Sequence, residues 1–241
     1  MDQTARNHVL RTRVAALFSA QVAAMAAAAE FQDLEAGRAS RERYDAFLEN
    51  VARAHLRSPQ LVAFLYSIAP PPAAESVLHN LLEELGLEDE GDVAHPELLR
   101  ELIVGAGLGH RLPEIEWLAK DDLRRAIVDP ILYGTLRDVG LAALTEIVAF
   151  EFMLSRLSSR IAVALERHRG LAASTLRWFT HHSEVDVAHA EQGLDGLAAY
   201  VRYYEIPDDE ALTIVEMTLR ENVFLRRYFR ESVAAPTGSR R

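Results

Sequence analysis

The 241-residue chain contains no cysteine. That absence excludes disulfides, zinc–thiolate sites and cysteine nucleophiles, and it fits a reducing cytosol. Lys120 is the only lysine, a skew toward arginine that reads as genome composition. Basic residues are outnumbered: 26 Lys and Arg face 36 Asp and Glu, for a net charge of −10. Nucleic acid is therefore not an expected partner. Long hydrophobic runs are also missing. The most apolar stretch, residues 14–29, is mostly alanine and carries Ser19 and Gln21, which is too weak for a membrane span. Arg6, Arg11 and Arg13 precede it as they would in a signal peptide, yet alanine-rich segments are also strong helix formers. A cytoplasmic chain without a membrane partner is the expectation. No P-loop or nucleophile elbow is present. The glycine-rich Gly105-Ala106-Gly107-Leu108-Gly109 follows a helical pattern rather than a strand, so it is no dinucleotide motif.

What is present is helical periodicity. Hydrophobic residues make up 49% of the chain and charged residues 26%, a normal globular mixture. No segment alternates as a strand does. The pattern predicts helices over about 5–35, 40–57, 59–68, 73–86, 96–106, 113–118, 120–138, 140–168, 170–203 and 208–231. Breaks fall at Ser58-Pro59, at Pro70-Pro71-Pro72, at Gly86, at Gly140 and Gly170, and at Ile206-Pro207-Asp208-Asp209. The acidic stretch with Glu88, Asp89, Glu90 and Asp92 reads as a surface loop. No internal repeat or domain linker is visible. The expectation is one all-α domain over 1–234 and a disordered tail over 235–241.

His182, Asp186 and His189 form an H-x₃-D-x₂-H triplet inside one of these helices. Their offsets fall at about 0°, 40° and −20° around an α-helix, so the three side chains share one face. Two imidazoles and a carboxylate on one stripe can make half of a metal site. The plain alternative is a solvated polar face, since Glu184 and Glu191 are near. Against it, the stripe continues through Trp178, Phe179, Val185, Leu197 and Tyr200. Glu84, His95 and Glu151 could complete a six-ligand set, which would suit a pair of iron ions. Glu151 sits among Val148, Phe150, Phe152 and Leu154, where a carboxylate is costly to bury unless paired or metal-bound. Glu146 points about 140° away from Glu151; Glu151 is preferred, and Glu146 stays open. Adjacent Glu83 and Glu84 point in different directions, so at most one is expected as a ligand. His95 could equally be a cap before the helix-starting Pro96. His181 points about 100° from His182, toward solvent or behind the ligands. His55, His79, His110 and His168 lack partner spacing and read as structural or exposed.

Taken together these blocks resemble the heme-oxygenase-like di-iron oxidases, known broadly as iron-containing redox enzymes. Asn80-Leu81-Leu82-Glu83-Glu84-Leu85-Gly86 followed by His95-Pro96-Glu97-Leu98 is similar to the family's N-L-x-x-E-x-G…H-P-x-L signature. Ala149-Phe150-Glu151 is similar to its central glutamate helix, and His182-x₃-Asp186-x₂-His189 to its third ligand helix. The resemblance spans about residues 45–230. It implies a single-domain heme-oxygenase-like helical bundle and two Fe(II) ions, with manganese also compatible. Glu84, His95 and a bridging carboxylate would hold one ion, and His182, Asp186 and His189 mainly the other, with Glu151 as the bridge. The implied activity is O₂-dependent oxidation of a small molecule such as an amino acid or fatty acid, by N-oxygenation, C–C cleavage or decarboxylation. Other activities of the same fold explain the residues less well. Thiaminase relatives need a cysteine, and heme oxygenases need only one proximal histidine. Cofactorless quinone-forming oxidases leave the carboxylates without a role. The branch that builds aminobenzoate from its own side chains would need a tyrosine and Lys120 near the metals. Arg156 and Arg177 stand on helices from which an arginine could grip a substrate carboxylate, although a surface place suits each better. A homodimer is allowed. The alternative function is a non-catalytic, partner-binding helical protein with a vestigial metal site.

Overall fold

A computed structural model of the protein describes residues 3–88, 92–131, 134–220 and 223–230; the side chains at 3, 4, 128, 184–188 and 223 are outside that description. Asp89, Glu90 and the tail 235–241 fall outside it too. Among the described residues every regular element is helical. In chain order the α-helices are α1 (Gln3–Ala27), α2 (Ala29–Glu35), α3 (Arg41–His55), α4 (Ser58–Ser67), α5 (Pro71–Glu84), α6 (His95–Gly105), α7 (Leu112–Leu123), α8 (Asp129–Ile131), α9 (Leu136–Ala164), α10 (Arg177–Tyr203), α11 (Asp208–Arg220) and α12 (Val223–Tyr228), with short 3₁₀ turns at Gly109–Arg111 and Ala173–Leu176 and π turns at Arg124–Val128 and Leu165–Arg169.

The antiparallel pair α9 and α10 is the spine. α9 buries Leu141, Val148, Phe152 and Leu157 together with Ala143, Ala149 and Ala162, so it is apolar on nearly every side. A helix of that kind sits inside a bundle rather than on its surface. α1 lays a stripe of Leu10, Val14, Phe18, Val22 and Met25 against α9, α10 and α11. Its segment Ala5–Ala27 is the one described helix long and apolar enough to cross a membrane by length and composition, and its buried stripe has the three-to-four spacing of a core helix. α3 packs on α6, α7 and α12 on another side.

Several helix boundaries differ from the sequence expectation: α7 runs through the expected break between 118 and 120 and ends at Leu123, α8 is separate from it, and α10 begins at Arg177 rather than at 170. Three further differences have a clear local reason. The predicted 5–35 helix breaks at Ala28, whose backbone is extended. Gln32 donates its side-chain amide to the Ala26 carbonyl that the break leaves open, at 2.7 Å. Pro71 and Pro72 start α5 rather than preceding it; in the first turn a missing N–H removes no hydrogen bond. Gly140 lies inside α9 instead of opening it. Thr135 is the N-cap, its hydroxyl accepting from the Asp138 N–H at 3.2 Å.

Gly140 is there because Tyr200 of α10 leaves no room for a side chain. A Cβ at position 140 would fall 2.1 Å from Tyr200 Oη and 2.5 Å from Ile68 Cδ1. The Tyr200 hydroxyl donates to the Arg137 carbonyl at 3.0 Å, so the ring cannot simply swing aside. Gly140→Ala is expected to destabilise the protein by about 1–3 kcal/mol through overpacking, although alanine is the better helix former. Urea denaturation of the variant measures this, and a stabilised variant would contradict the close approach.

Candidate metal centre

Four helices bring the candidate residues together. Glu84 is the last residue of α5, and Gly86 follows with a φ of +64°. A Cβ on Gly86 would fall 2.5 Å from the Ala94 backbone nitrogen. The chain therefore leaves α5 through a left-handed glycine and returns close beside it. That return delivers His95, the first residue of α6, back to Glu84. His95 is buried, and its Nδ1 lies 3.3 Å from Glu84 Oε1. The reading of His95 as a plain cap fails: Ala94 holds the cap position, with no side-chain cap bond.

Glu84 is buried, and Ser58 donates its hydroxyl to Glu84 Oε2 at 2.5 Å. Burial alone would push the Glu84 carboxyl up. The charge and hydrogen bond of His95, with the Ser58 bond, outweigh it and hold the group below the usual carboxylate range. Glu151 takes the opposite course. It is buried on α9 and accepts from Asn80 Nδ2 at 2.7 Å, and burial pushes its carboxyl up to about 7 against the pull of His189 and Asn80. Glu84 and Glu83 add to the rise. Glu146 is elsewhere: it pairs with Arg227 at 2.8 Å.

On α10, His182 is buried beside Trp178, with ring centroids 4.2 Å apart, and 4.7 Å from the His95 ring. Its Nδ1 lies 2.6 Å from the Trp178 carbonyl oxygen. A carbonyl can only accept, so Nδ1 carries the proton and Nε2 keeps its lone pair. Burial, with His95 adding, holds this imidazole neutral, its pKa well below the ordinary histidine value. His189 is buried one face-repeat further along, its Nε2 2.5 Å from Glu83 Oε2. The backbone of Asp186 lies in α10 between them; its side chain is outside the described residues.

Two residues that the sequence reading set aside touch this cluster. His181 meets His95, Nε2 to Nε2 at 3.0 Å. His79, Glu83 and His189 each offer a ligand atom within 4.8 Å of the others. His79 is largely exposed and its Nδ1 lies 2.5 Å from Glu88 Oε1. The signal for that outer group was available, because His79 and Glu83 are four residues apart and share a helix face. Glu83 and Glu84 thus both reach histidines of the cluster. The other histidines are structural or exposed. His55 is buried, its Nε2 2.6 Å from the Tyr228 hydroxyl, and burial lowers its pKa to about 4. His168 Nε2 lies 3.1 Å from the Glu35 carbonyl oxygen, and His110 is exposed. Lys120 is exposed on α7, Arg156 lies over the Phe152 ring at the surface, and Arg177 pairs with Glu101 at 3.5 Å.

Among the described residues no arginine or lysine pairs with Glu83, Glu84 or Glu151; their partners are histidines, Ser58 and Asn80. Beside the cluster lies a cavity of about 290 Å³ between α4, α5, α9 and α10, which reaches Asn80, Glu151 and His189.

Residues 45–222 match the model of a family described as iron-containing redox enzyme. The chain belongs to that family, with the heme-oxygenase-like helical fold, and is an oxidoreductase by membership. No curated protein matches it.

The buried carboxylates carry a cost in the metal-free protein. Among the described residues Glu151 accepts from Asn80, pairs with no arginine or lysine, and has Glu83 and Glu84 nearby. Glu151→Gln keeps the shape and the oxygen that accepts from Asn80. It is expected to stabilise the metal-free protein at neutral pH by about 1–3 kcal/mol. Urea denaturation in the presence of a chelator decides; a destabilised variant would mean that the carboxylate is a net stabilising group.

Proposed function

We propose that this protein is a non-heme di-iron oxidase or oxygenase that uses O₂ to oxidise a small molecule. The observation that carries the reading is His182. Its Nδ1–H is committed to the Trp178 carbonyl, the arrangement that fixes a metal-binding imidazole with Nε2 as the donor. The surrounding donor set fits iron. It consists of imidazole nitrogen and carboxylate oxygen without thiolate, the mixture that suits iron or manganese. Glu84, His95, Glu151, His182 and His189 would hold the ions, with Asp186 as the sixth ligand by its place on the α10 face.

When bound, ferrous iron supplies the electrons that reduce O₂, and so the oxidising power directed at the substrate. The chain's own residues do the rest. Ser58 orients Glu84, Asn80 orients Glu151, and the Trp178 carbonyl orients His182. Trp178 is buried against the His182 ring and would keep water from it. The cavity that reaches Glu151 and His189 would seat the substrate next to the donors. An amino acid or fatty acid is the substrate class that the family resemblance suggests.

Protein loaded with Fe(II) under anaerobic conditions is expected to hold close to two irons per chain and to consume O₂ on exposure to air. Less than one iron per chain, with no O₂ uptake, contradicts the proposal and favours a vestigial site. Glu84→Ala and His182→Ala are each expected to abolish iron binding, while His181→Ala and Glu83→Ala largely retain it. In this account Glu83 holds His189 only until metal takes its place. Loss of binding in Glu83→Ala and His79→Ala, with Glu84→Ala unaffected, would instead put the metal in the outer group of His79, Glu83 and His189.

A further inference from the structure

Four arginines and two carboxylates meet where α3, α4, α7, α9 and the end of α12 converge. Arg53 of α3 forks onto both oxygens of Asp122 at 2.6 Å, and Arg230 reaches the same carboxylate at 3.2 Å. Arg227 of α12 pairs with Glu146 of α9 at 2.8 Å. Arg57, at the junction of α3 and α4, makes no hydrogen bond or ion pair among the described residues, and its Nε is buried without a partner. The group therefore holds two more positive charges than its carboxylates offset, in a chain whose net charge is −10.

Arg53, Arg57 and Arg227 line one crevice of about 50 Å³. Asp122 and Glu146 line it too, but each is already taken by an arginine. Buried His55 and Phe150 are also part of the lining, their rings edge to face with centroids 5.0 Å apart. None of the candidate metal ligands lines this crevice, which is a different space from the cavity that reaches Glu151.

A guanidinium that loses its hydration without gaining an acceptor is costly to keep. A water molecule could accept from Arg57 Nε, but it would leave the excess charge in place. An anion would answer both needs. The crevice has room for roughly three or four atoms of water size, at about 10–15 Å³ each. That suits a flat oxyanion such as formate or nitrate, whose edge matches the guanidinium fork, and it is tight for tetrahedral sulfate.

We propose that Arg57, with Arg53 and Arg227 beside it, forms a binding site for a small planar oxyanion. The site is independent of the di-iron reading. Arg57 immediately precedes Ser58, whose hydroxyl orients Glu84, and Arg227 immediately precedes Tyr228, whose hydroxyl meets His55. An anion between the two arginines would join α12 to the α3–α4 junction.

The test uses the full chain, metal-free, with formate, nitrate and sulfate each compared with chloride at equal ionic strength. Formate and nitrate, at about tenfold above their dissociation constants, are expected to raise the melting temperature by about 2–5 °C over chloride, and sulfate by less. A response to formate alone assigns the site to carboxylates, and a response to nitrate alone assigns it to inorganic oxyanions. Hydrogen exchange at residues 57–61 and 224–228 should slow with the same anions. Arg57→Gln should lose the shift and bind formate at least about tenfold more weakly. In chloride it should be as stable as the unsubstituted protein or more so, because an unpaired buried charge is gone. Arg57→Lys should recover only part of the binding, since it has the charge without the fork. Arg43→Gln, at an exposed arginine, should leave the shift unchanged. No shift over chloride in the unsubstituted protein would mean that water alone meets Arg57, and it overturns the proposal. An equal shift in Arg57→Gln, or its loss in Arg43→Gln, overturns it too.

Discussion

Carboxylates in an apolar interior repel one another and lose their hydration, so they persist only where something pays that cost. Glu84 and Glu151 are both buried at the meeting of α5, α6, α9 and α10, with Glu83 at the edge. Among the described residues their partners are neutral hydrogen-bond donors and imidazoles rather than fixed cations. Glu84 is held ionised by His95, while Glu151 is pushed toward its protonated form. Two carboxyl groups pushed in opposite directions within one site support the proposed metal centre. A divalent cation is the simplest charge that would offset all of them at once.

Much of the fold follows from the need to deliver these groups. α9 has to be apolar on nearly all sides because it is the helix that carries Glu151 into the middle. The Gly86 turn has to bring α6 straight back so that His95 reaches Glu84. α10 has to lie close to α9, and Gly140 and Gly193 provide that closeness by yielding to Tyr200 and Val148. Beside this contact a cavity remains between α4, α5, α9 and α10, next to Glu151 and His189.

The all-α class, the spine helices and the buried faces of His182 and His189 were legible in the sequence, because a 3.6-residue period records which side of a helix is buried. Glu151 stood out for a related reason, as a lone carboxylate amid apolar neighbours. Contacts between helices were not legible. Gly140 looked like a helix break because nothing in its own segment announces Tyr200, sixty residues later. The choice between Glu83 and Glu84 was posed as inside against outside, yet both reach histidines, since a long side chain at a helix end can bend further than the 100° step suggests. His181 was placed by its helical angle alone, and the His95 ring that meets it arrives from another helix. The cavity was invisible because it is a space between four helices, not a property of any one.

The most direct test of the account is where metal sits. Anomalous diffraction from crystals loaded with Mn(II) or anaerobic Fe(II) is predicted to show two peaks between α5, α6, α9 and α10. Glu84, His95 and His182 should stand around them, with Glu151 and His189 within bonding reach. No peak there, or a single peak at His79, Glu83 and His189 with the buried set empty, would contradict it.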